Sequence, residues 1–437
     1  MDLAALPGFR DFFPEETARR DYIFDRWRET ARCYGFSAYD GPPLENTELY
    51  RRKSGDEIVS QLYCFTDKGE REVSLRPEMT PSLARMIASK GNSLPKPIKW
   101  FSIPQLFRYE RQQRGRLREH FQFNCDIIGE SSVAADTELV ALLVDSLRAF
   151  GLTGSDFHVR VSDRQLLAAL MDVIGIKGEI PLKVVFGAVD KSAREPADKI
   201  KAKMIEGGIN ASHAEQVLNL FRRKGLMDVA SEFDSSKAVC ERVLALQQFF
   251  GLLDSMGLRE FVEFDLSIVR GLAYYTGIVF EAFDLKGDFR AISGGGRYDH
   301  LLSTIGGVDL PALGFGMGDV VLGELLTERK LWPPELVPAV DVYLVLVDES
   351  LRTSLLALAH QLRGTGLSVD YALTETAVAR QFKQASQRKV IAAVVIAPEE
   401  WKRGAVKLKN LETREEVEVG VEKLQSRLME MKSSKNI

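Results

Sequence analysis

This sequence predicts a mixed α/β chain of two or three domains, and three observations carry that expectation. Its 437 residues exceed what one hydrophobic core usually serves. Apolar residues switch repeatedly between helical spacing and short strand-like runs. A proline cluster, Trp332-Pro333-Pro334-Glu335-Leu336-Val337-Pro338, then sets off the C-terminal part.

Residues 14 to 34 read as an amphipathic helix, with Pro14 at its start, Tyr22, Ile23, Trp27 and Ala31 at helical spacing, and Gly35 ending it. A strand around Ser37 to Tyr39 is broken by Gly41-Pro42-Pro43. Gln61 to Phe65 and Glu72 to Leu75 flank the hairpin signal Asp67-Lys68-Gly69. Met79 to Ser89 reads as helix, Ile98 to Arg108 and Phe121 to Ile128 as strands joined by a charged loop, Arg111 to Glu119. Asp136 to Phe150 is a helix stopped by Gly151, and Phe157 to Val161 alternates as a strand. From about 165 to 235 the chain turns helical and charge-rich, which marks an inserted subdomain. Strand and glycine signals return over 261 to 318. Beyond the prolines, Val340–Val347, Leu367–Ala372 and Ile391–Ile396 read as strands, with helices at Leu351–Gly364 and Thr376–Ser386 between them. That β-α-β-α-β order predicts a separate domain with a mostly parallel sheet.

Composition narrows the function. Lys and Arg total 58 against 62 Asp and Glu, a net charge of −4, so any nucleic-acid contact must come from local basic patches. Cys33, Cys64, Cys125 and Cys240 form no C-x-x-C pair, and the five histidines are scattered, which argues for reduced thiols and against a zinc site. No apolar run is long enough to span a membrane and no basic-then-apolar leader opens the chain; a soluble, cytoplasmic protein is expected.

Two stretches carry chemistry. In Ile268-Val-Arg-Gly-Leu-Ala-Tyr-Tyr-Thr-Gly277, glycines bracket Arg270, Tyr274 and Tyr275. Such an arginine is a fork of donors for carboxylate or phosphate, and tyrosines offer flat walls with polar tips. Read as a strand, Arg270 and Tyr274 share a face and Tyr275 points away; a glycine turn with core aromatics is the plainer reading. The second stretch, Phe107 to Gln122, holds Arg108, Arg111, Arg114, Arg116 and Arg118, offset by Glu110 and Glu119. A hairpin of this kind clamps a polyphosphate or touches nucleic-acid phosphates, unless it is only a solvated tip. Placement favours the former, because Arg108 and Glu110 are expected in register at the end of an apolar strand, facing Gln122 and Asp126 on the returning one.

These residues resemble a known family. Arg108-Tyr109-Glu110 with its loop resembles motif 2 of class II aminoacyl-tRNA synthetases, and the 268–277 stretch resembles the motif peculiar to histidyl-tRNA synthetases. Pro7-Gly-Phe-Arg-Asp-Phe-Phe-Pro14 is similar to that family's amino-terminal segment, and Pro43-Leu-Glu45 to its dimer-forming motif 1. Leu75-Arg-Pro-Glu-Met-Thr80 resembles the family's substrate loop, and Ser293-Gly-Gly-Gly-Arg-Tyr-Asp299 its glycine-rich strand entry. The last domain, with Lys407-Leu-Lys-Asn-Leu411, is similar to its anticodon-binding domain.

The resemblance implies an antiparallel class II catalytic sheet over 1–330 interrupted by the helical insertion, a linker at 331–339 and an anticodon-binding domain at 340–430. It implies ATP-dependent ligation of histidine to tRNA(His) through a histidyl-adenylate, in a homodimer that uses Mg2+ and no resident metal. Arg108 and Arg270 would be catalytic. Histidine would meet Glu78, Thr80, Arg108, Gln122, Asp126, Arg270, Tyr274, Tyr275, Tyr298 and Gly296. ATP would meet Arg108, Glu110, Arg116, His120, Gly316 and Gly318. Three positions depart from the family pattern: Val321 stands where motif 3 has arginine, with Asp319 close by; Ala273 replaces an aspartate; and His120 replaces the phenylalanine that stacks on adenine. The missing arginine raises an alternative, the non-catalytic histidine-sensing regulatory subunit of ATP phosphoribosyltransferase. That subunit typically lacks a C-terminal anticodon domain and has little use for the Arg108/Glu110 pair.

Overall fold

The computed structural model describes residues 4–54, 60–111, 113–190, 195–223, 225–269, 274–287, 289–337 and 340–435. The chain forms two compact units, Met1–Pro334 and Glu335–Ile437.

The first unit opens with α1 (Pro14–Cys33), where proline in the first turn forfeits no hydrogen bond. Ile23, Phe24, Trp27, Thr30 and Ala31 are its buried face, and Gly35 leaves it with a positive φ of 75°. After β1 (Ser37–Ala38), a small sheet forms from β2 (Leu44–Asn46), β3 (Cys64–Thr66) and β4 (Glu72–Leu75), with α2 (Glu48–Ser54) between the first two. The β3–β4 turn is set by Asp67, whose Oδ1 accepts from the Gly69 and Arg71 N–H groups at 2.8 and 3.0 Å. Next come α3 (Thr80–Lys90), β5 (Ile98–Ser102), β6 (Gln105–Phe107), β7 (Glu119–Ile128), α4 (Val133–Arg148) and β8 (Phe157–Asp163).

The run expected as one strand, Ile98 to Arg108, is two. Pro104 has no N–H to give, and its carbonyl accepts from Gln122 instead. Arg108 and Glu110, expected within that strand, lie past the end of β6; the pairing persists in one bond from Arg108 N–H to Arg118 O at 2.8 Å.

A helical run follows: α5 (Arg164–Ile174), α6 (Glu179–Val189), α7 (Ala197–Glu206), α8 (Ala211–Phe221), α9 (Leu226–Glu232) and α10 (Lys237–Ser255). Buried Asp163 ties its two ends, capping α5 at the Leu166 N–H and pairing with Arg242 of α10 at 2.5 Å. The unit closes with β9 (Val262–Phe264), β10 (Ile278–Asp284), β11 (Ser293–Arg297), α11 (Leu301–Gly306), β12 (Ala312–Gly318) and α12 (Asp319–Glu328). The approach expected to be strand from Phe264 to Val269 turns after Phe264, because Asp265 Oδ1 takes both the backbone N–H and the hydroxyl of Ser267.

The large sheet has the order β1-β5-β7-β12-β11-β10-β8-β9, with β6 paired to the front of β7. Only β1/β5 and β8/β9 run parallel among its pairs, so it is the antiparallel sheet expected. Residues of α1, α4 and α12 build the main core on one face. On the other, α3 and α11 gather a second core around Tyr275, Tyr298 and Val279.

The second unit contains β13 (Val342–Leu346), α13 (Arg352–Arg363), β14 (Val369–Tyr371), α14 (Val378–Gln387), β15 (Ala392–Ile396), α15 (Pro398–Lys402), β16 (Ala405–Asn410), β17 (Glu416–Gly420) and α16 (Val421–Lys435). Its order is β14-β13-β15-β16-β17. The first three strands are parallel, as helical crossovers require, and β16 and β17 add an antiparallel hairpin that makes the sheet mixed.

Candidate active site

Strands β7, β12 and β11 lie side by side and floor a pocket of about 320 Å³. Alternation along β7 sends Gln122, Asn124 and Asp126 into it, while Phe123, Cys125 and Ile127 enter the core behind. Opposite them the floor is glycine. Gly314 pairs with Asp126 and Gly316 with Asn124. A Cβ on Gly314 would stand 2.0 Å from Asp126 Oδ1, and one on Gly316 2.7 Å from Gln122 Cδ. The polar side chains therefore lie across bare backbone.

One end of the pocket is aromatic. The rings of Tyr274 and Tyr275 are 4.5 Å apart, and Tyr298 stands edge-on to Tyr274 at 6.0 Å and 86°. Strand alternation would separate Tyr274 from Tyr275; Tyr274 lies in a turn instead, and both line the pocket. The Tyr298 hydroxyl donates to Asp126 Oδ1. Burial, and after it the Asp126 charge, hold that phenol well above its ordinary pKa, so it stays a donor. Glu78 and Thr80, at the start of α3, complete this end. Gly296 is not at the wall. It lies beneath Tyr275, whose Cδ1 would be 3.0 Å from an added Cβ.

The other end is charged. Arg108, Glu110 and Arg116 line it. Arg108 Nε donates to the Pro77 carbonyl at 2.9 Å; burial lowers its pKa, and Glu78 opposes that shift. Arg116 pairs with Glu110. His120 and Gly318 sit together outside the lining, a Cβ on Gly318 falling 4.0 Å from His120 Cδ2. Burial, then Arg108, Arg10 and Arg116, push the His120 imidazole down to about 3, so its ring is neutral. Val321 is buried, with its Cγ2 3.1 Å from the Cβ that Gly115 lacks. Asp319 is held by Arg10 at 2.9 Å and by the Phe121 N–H, and Arg10 also reaches Glu119 at 2.5 Å. Arg270 and Ala273 lie outside the described residues.

Several lining residues were not picked out in the sequence: Gln61, Pro77, Asn124, Gly314 and Phe315. Period-two reading of β7 from Gln122 to Asp126 would have found Asn124. Gly314 is recognisable only once its partner Asp126 is known, and nothing near Gln61 announces it. Among the described residues, no cluster of three or more His, Cys, Asp or Glu could hold a metal ion.

The chain resembles known proteins over nearly its whole length. Residues 8–318 match the family model described as histidyl-tRNA synthetase, and residues 341–431 match an anticodon binding domain. The chain is 45% identical to a histidine–tRNA ligase of Opitutus terrae, over 97% of both. It is 42% identical to the chloroplastic/mitochondrial histidine–tRNA ligase of Arabidopsis thaliana, over 97% of this chain and 86% of that one. Its fold matches the crystal structure of histidyl-tRNA synthetase from Nostoc sp. PCC 7120 with a TM-score of 0.82 at 24% identity, covering 98% of this chain and 99% of that one. A Bacillus halodurans structure titled as ATP phosphoribosyltransferase regulatory subunit/histidyl-tRNA synthetase has a TM-score of 0.74 at 23% identity, covering 91% and 100%, a likeness of fold alone. The identity over nearly full length lies with the ligases, and the chain belongs to the histidyl-tRNA synthetase family.

Proposed function

We propose that this pocket joins histidine to ATP as histidyl-adenylate and passes the histidyl group to tRNA(His). The ligation of histidine to tRNA at the expense of ATP is the activity of the family to which the chain belongs. The observation that supports its location is a single pocket with Glu78, Thr80, Gln122, Asp126 and three tyrosines at one end and Arg108, Glu110 and Arg116 at the other.

In the first step a carboxylate oxygen of histidine attacks the α-phosphorus of ATP, the bond to the bridging oxygen breaks, and pyrophosphate leaves. In the second, a terminal ribose hydroxyl of tRNA attacks the carbonyl carbon and AMP departs. The first step brings two anions together, so cations and alignment matter more than a proton-transfer base. Arg108, which donates to the Pro77 carbonyl and feels the charge of Glu78, is assigned to the histidine carboxylate and the α-phosphate. Arg270 is assigned to the same phosphate by its motif. Glu110 and Arg116 are assigned to adenine and the outer phosphates, with the neutral His120 ring and Gly316–Gly318 beside the nucleotide. Glu78, Thr80 and Gln122 serve the α-amino group; Asp126, Tyr274, Tyr275 and Tyr298 surround the imidazole, with Gly296 letting Tyr275 pack close.

Mg2+ belongs to this reading as the partner of the ATP phosphates, supplying charge neutralisation there. The described residues offer no ligand cluster of their own for it. A homodimer built through the motif 1 segment near Glu45 and a cytoplasmic location without membrane attachment complete the proposal; no helix among the described residues is long and apolar enough to cross a membrane. The test is histidine-dependent ATP–pyrophosphate exchange followed by charging of tRNA. Absence of exchange in folded protein would reject the reading.

A further inference from the structure

Beside the aromatic end of the pocket, two buried hydroxyls have no hydrogen-bond partner among the described residues, Tyr39 Oη and Ser102 Oγ. Leaving such groups unpaired is costly, and native proteins rarely do so without a use. Their placement follows from register. Ser37 of β1 pairs with Trp100, and Trp100 pairs with Asp126. Two residues further along, Ser102 pairs with Asn124, and the Tyr39 N–H continues the β1 pairing to Phe101 O at 2.9 Å. Residues two apart share a face, so Tyr39 and Ser102 stand on the side of the sheet that carries Asn124 and Asp126 into the pocket. The Tyr39 ring leans on Trp100 at 5.5 Å and packs with the core that includes Tyr275 and Tyr298. Burial, and then the charge of Asp126, hold its phenol well above the ordinary value, which keeps it protonated and a donor.

A neutral imidazole has one N–H and one bare nitrogen. Asp126 is a carboxylate and suits the N–H; the bare nitrogen needs a donor. Tyr298 has already given its proton to Asp126, and the hydroxyls of Tyr274 and Tyr275 are engaged with each other at 3.4 Å. We infer that Tyr39 is a specificity-determining residue of the histidine pocket, donating from its hydroxyl, directly or through one water shared with Ser102, to the imidazole nitrogen that carries no proton. The inference rests on the reading of this pocket as the histidine site. Tyr39 and Asp126 then read the two ring nitrogens, which a ring of equal size without nitrogen cannot satisfy.

The experiment measures pyrophosphate exchange for wild type, Tyr39→Phe and Ser102→Ala, with inhibition by L-histidinol and by β-(2-thienyl)-L-alanine, whose ring has no nitrogen. Tyr39→Phe should raise the histidine KM and the histidinol Ki together by roughly tenfold, leaving the ATP KM and the thienylalanine Ki within about twofold. Ser102→Ala should show the same selectivity at about threefold, and it keeps the question answerable if the phenylalanine variant does not fold. A histidine KM within about twofold of wild type in both variants, or an equal weakening of thienylalanine or ATP, would overturn the inference. Wild-type protein without histidine-dependent exchange would instead reject the functional reading, before any variant is made.

Discussion

The two ends of the pocket are built differently. At the aromatic end, position is fixed by strand register: Asp126 lies over Gly314, is bonded by Tyr298, and has no room to move toward the floor. At the charged end the groups neutralise one another. Arg116 pairs with Glu110 in the lining and, outside it, Arg10 pairs with Glu119 and Asp319. In the proposed reading one end is shaped before its ligand arrives, whereas the other exchanges internal ion pairs for phosphates. On that reading specificity belongs to the first and a salt-sensitive, adjustable grip to the second.

The sharpest way to break this contrast is Gly314→Ala. The new methyl would stand 2.0 Å from Asp126 Oδ1 and must push the carboxylate aside. Displacing a binding group by about an ångström costs on the order of 100-fold, so the histidine KM should rise by that order while the ATP KM stays within about threefold. Exchange kinetics with a thermal melt to confirm folding would decide it; equal losses for both substrates would mean that the two ends are not separable.

Arg116→Gln asks the reverse question. Loss of one charge-assisted contact is worth about 1.5–3 kcal/mol, so the ATP KM should increase roughly 10- to 100-fold, with the histidine KM little changed. Steady-state exchange at several salt concentrations checks this, because the wild-type grip should weaken with salt more than the variant's.

The smallest effect concerns His120. Its imidazole is pushed down to about 3, below an unfolded value of about 6.5, by burial and then by Arg108, Arg10 and Arg116. The unfolded chain takes up a proton that the folded chain refuses, so stability from this group is intact above about pH 6.5 and is lost as pH falls toward 3. His120→Phe should flatten that acid limb in unfolding experiments and leave the ATP KM within about threefold at pH 7.5, since a neutral ring replaces a neutral ring. A strong pH dependence of the ATP KM near 6.5 that disappears in the variant would show that the ring titrates in the working enzyme.

What could be read from sequence differs between the same two ends. The helix at Pro14, the hairpin at Asp67, the parallel strands of the second unit and the polar face of β7 each follow from local spacing. The clustering of arginines singled out the 108–118 loop and motif resemblance added Tyr298 and Glu78, all of which line the pocket except the loop's outer arginines. Long-range pairing was not legible. The need for glycine at 314 depends on Asp126, nearly two hundred positions away in the chain, and Arg10 finds Asp319 across almost the whole unit. Local rules also misjudged two backbones. Pro104 interrupts an apolar run that periodicity alone makes continuous, and Asp265 turns a chain that hydrophobicity alone keeps extended.

The position of β12 has a consequence for how the protein is made. It is the last strand of the large sheet to leave the ribosome, yet it lies in the middle, between β7 and β11. Until residues 312–318 emerge, the nascent chain carries two half-sheets, each with an open interior edge of unpaired N–H and C=O groups. Such edges invite pairing with other chains, and the long sequence separation slows their closure. The pocket floor cannot assemble stepwise during synthesis; a single late insertion both completes the sheet and brings Gly314 beneath Asp126.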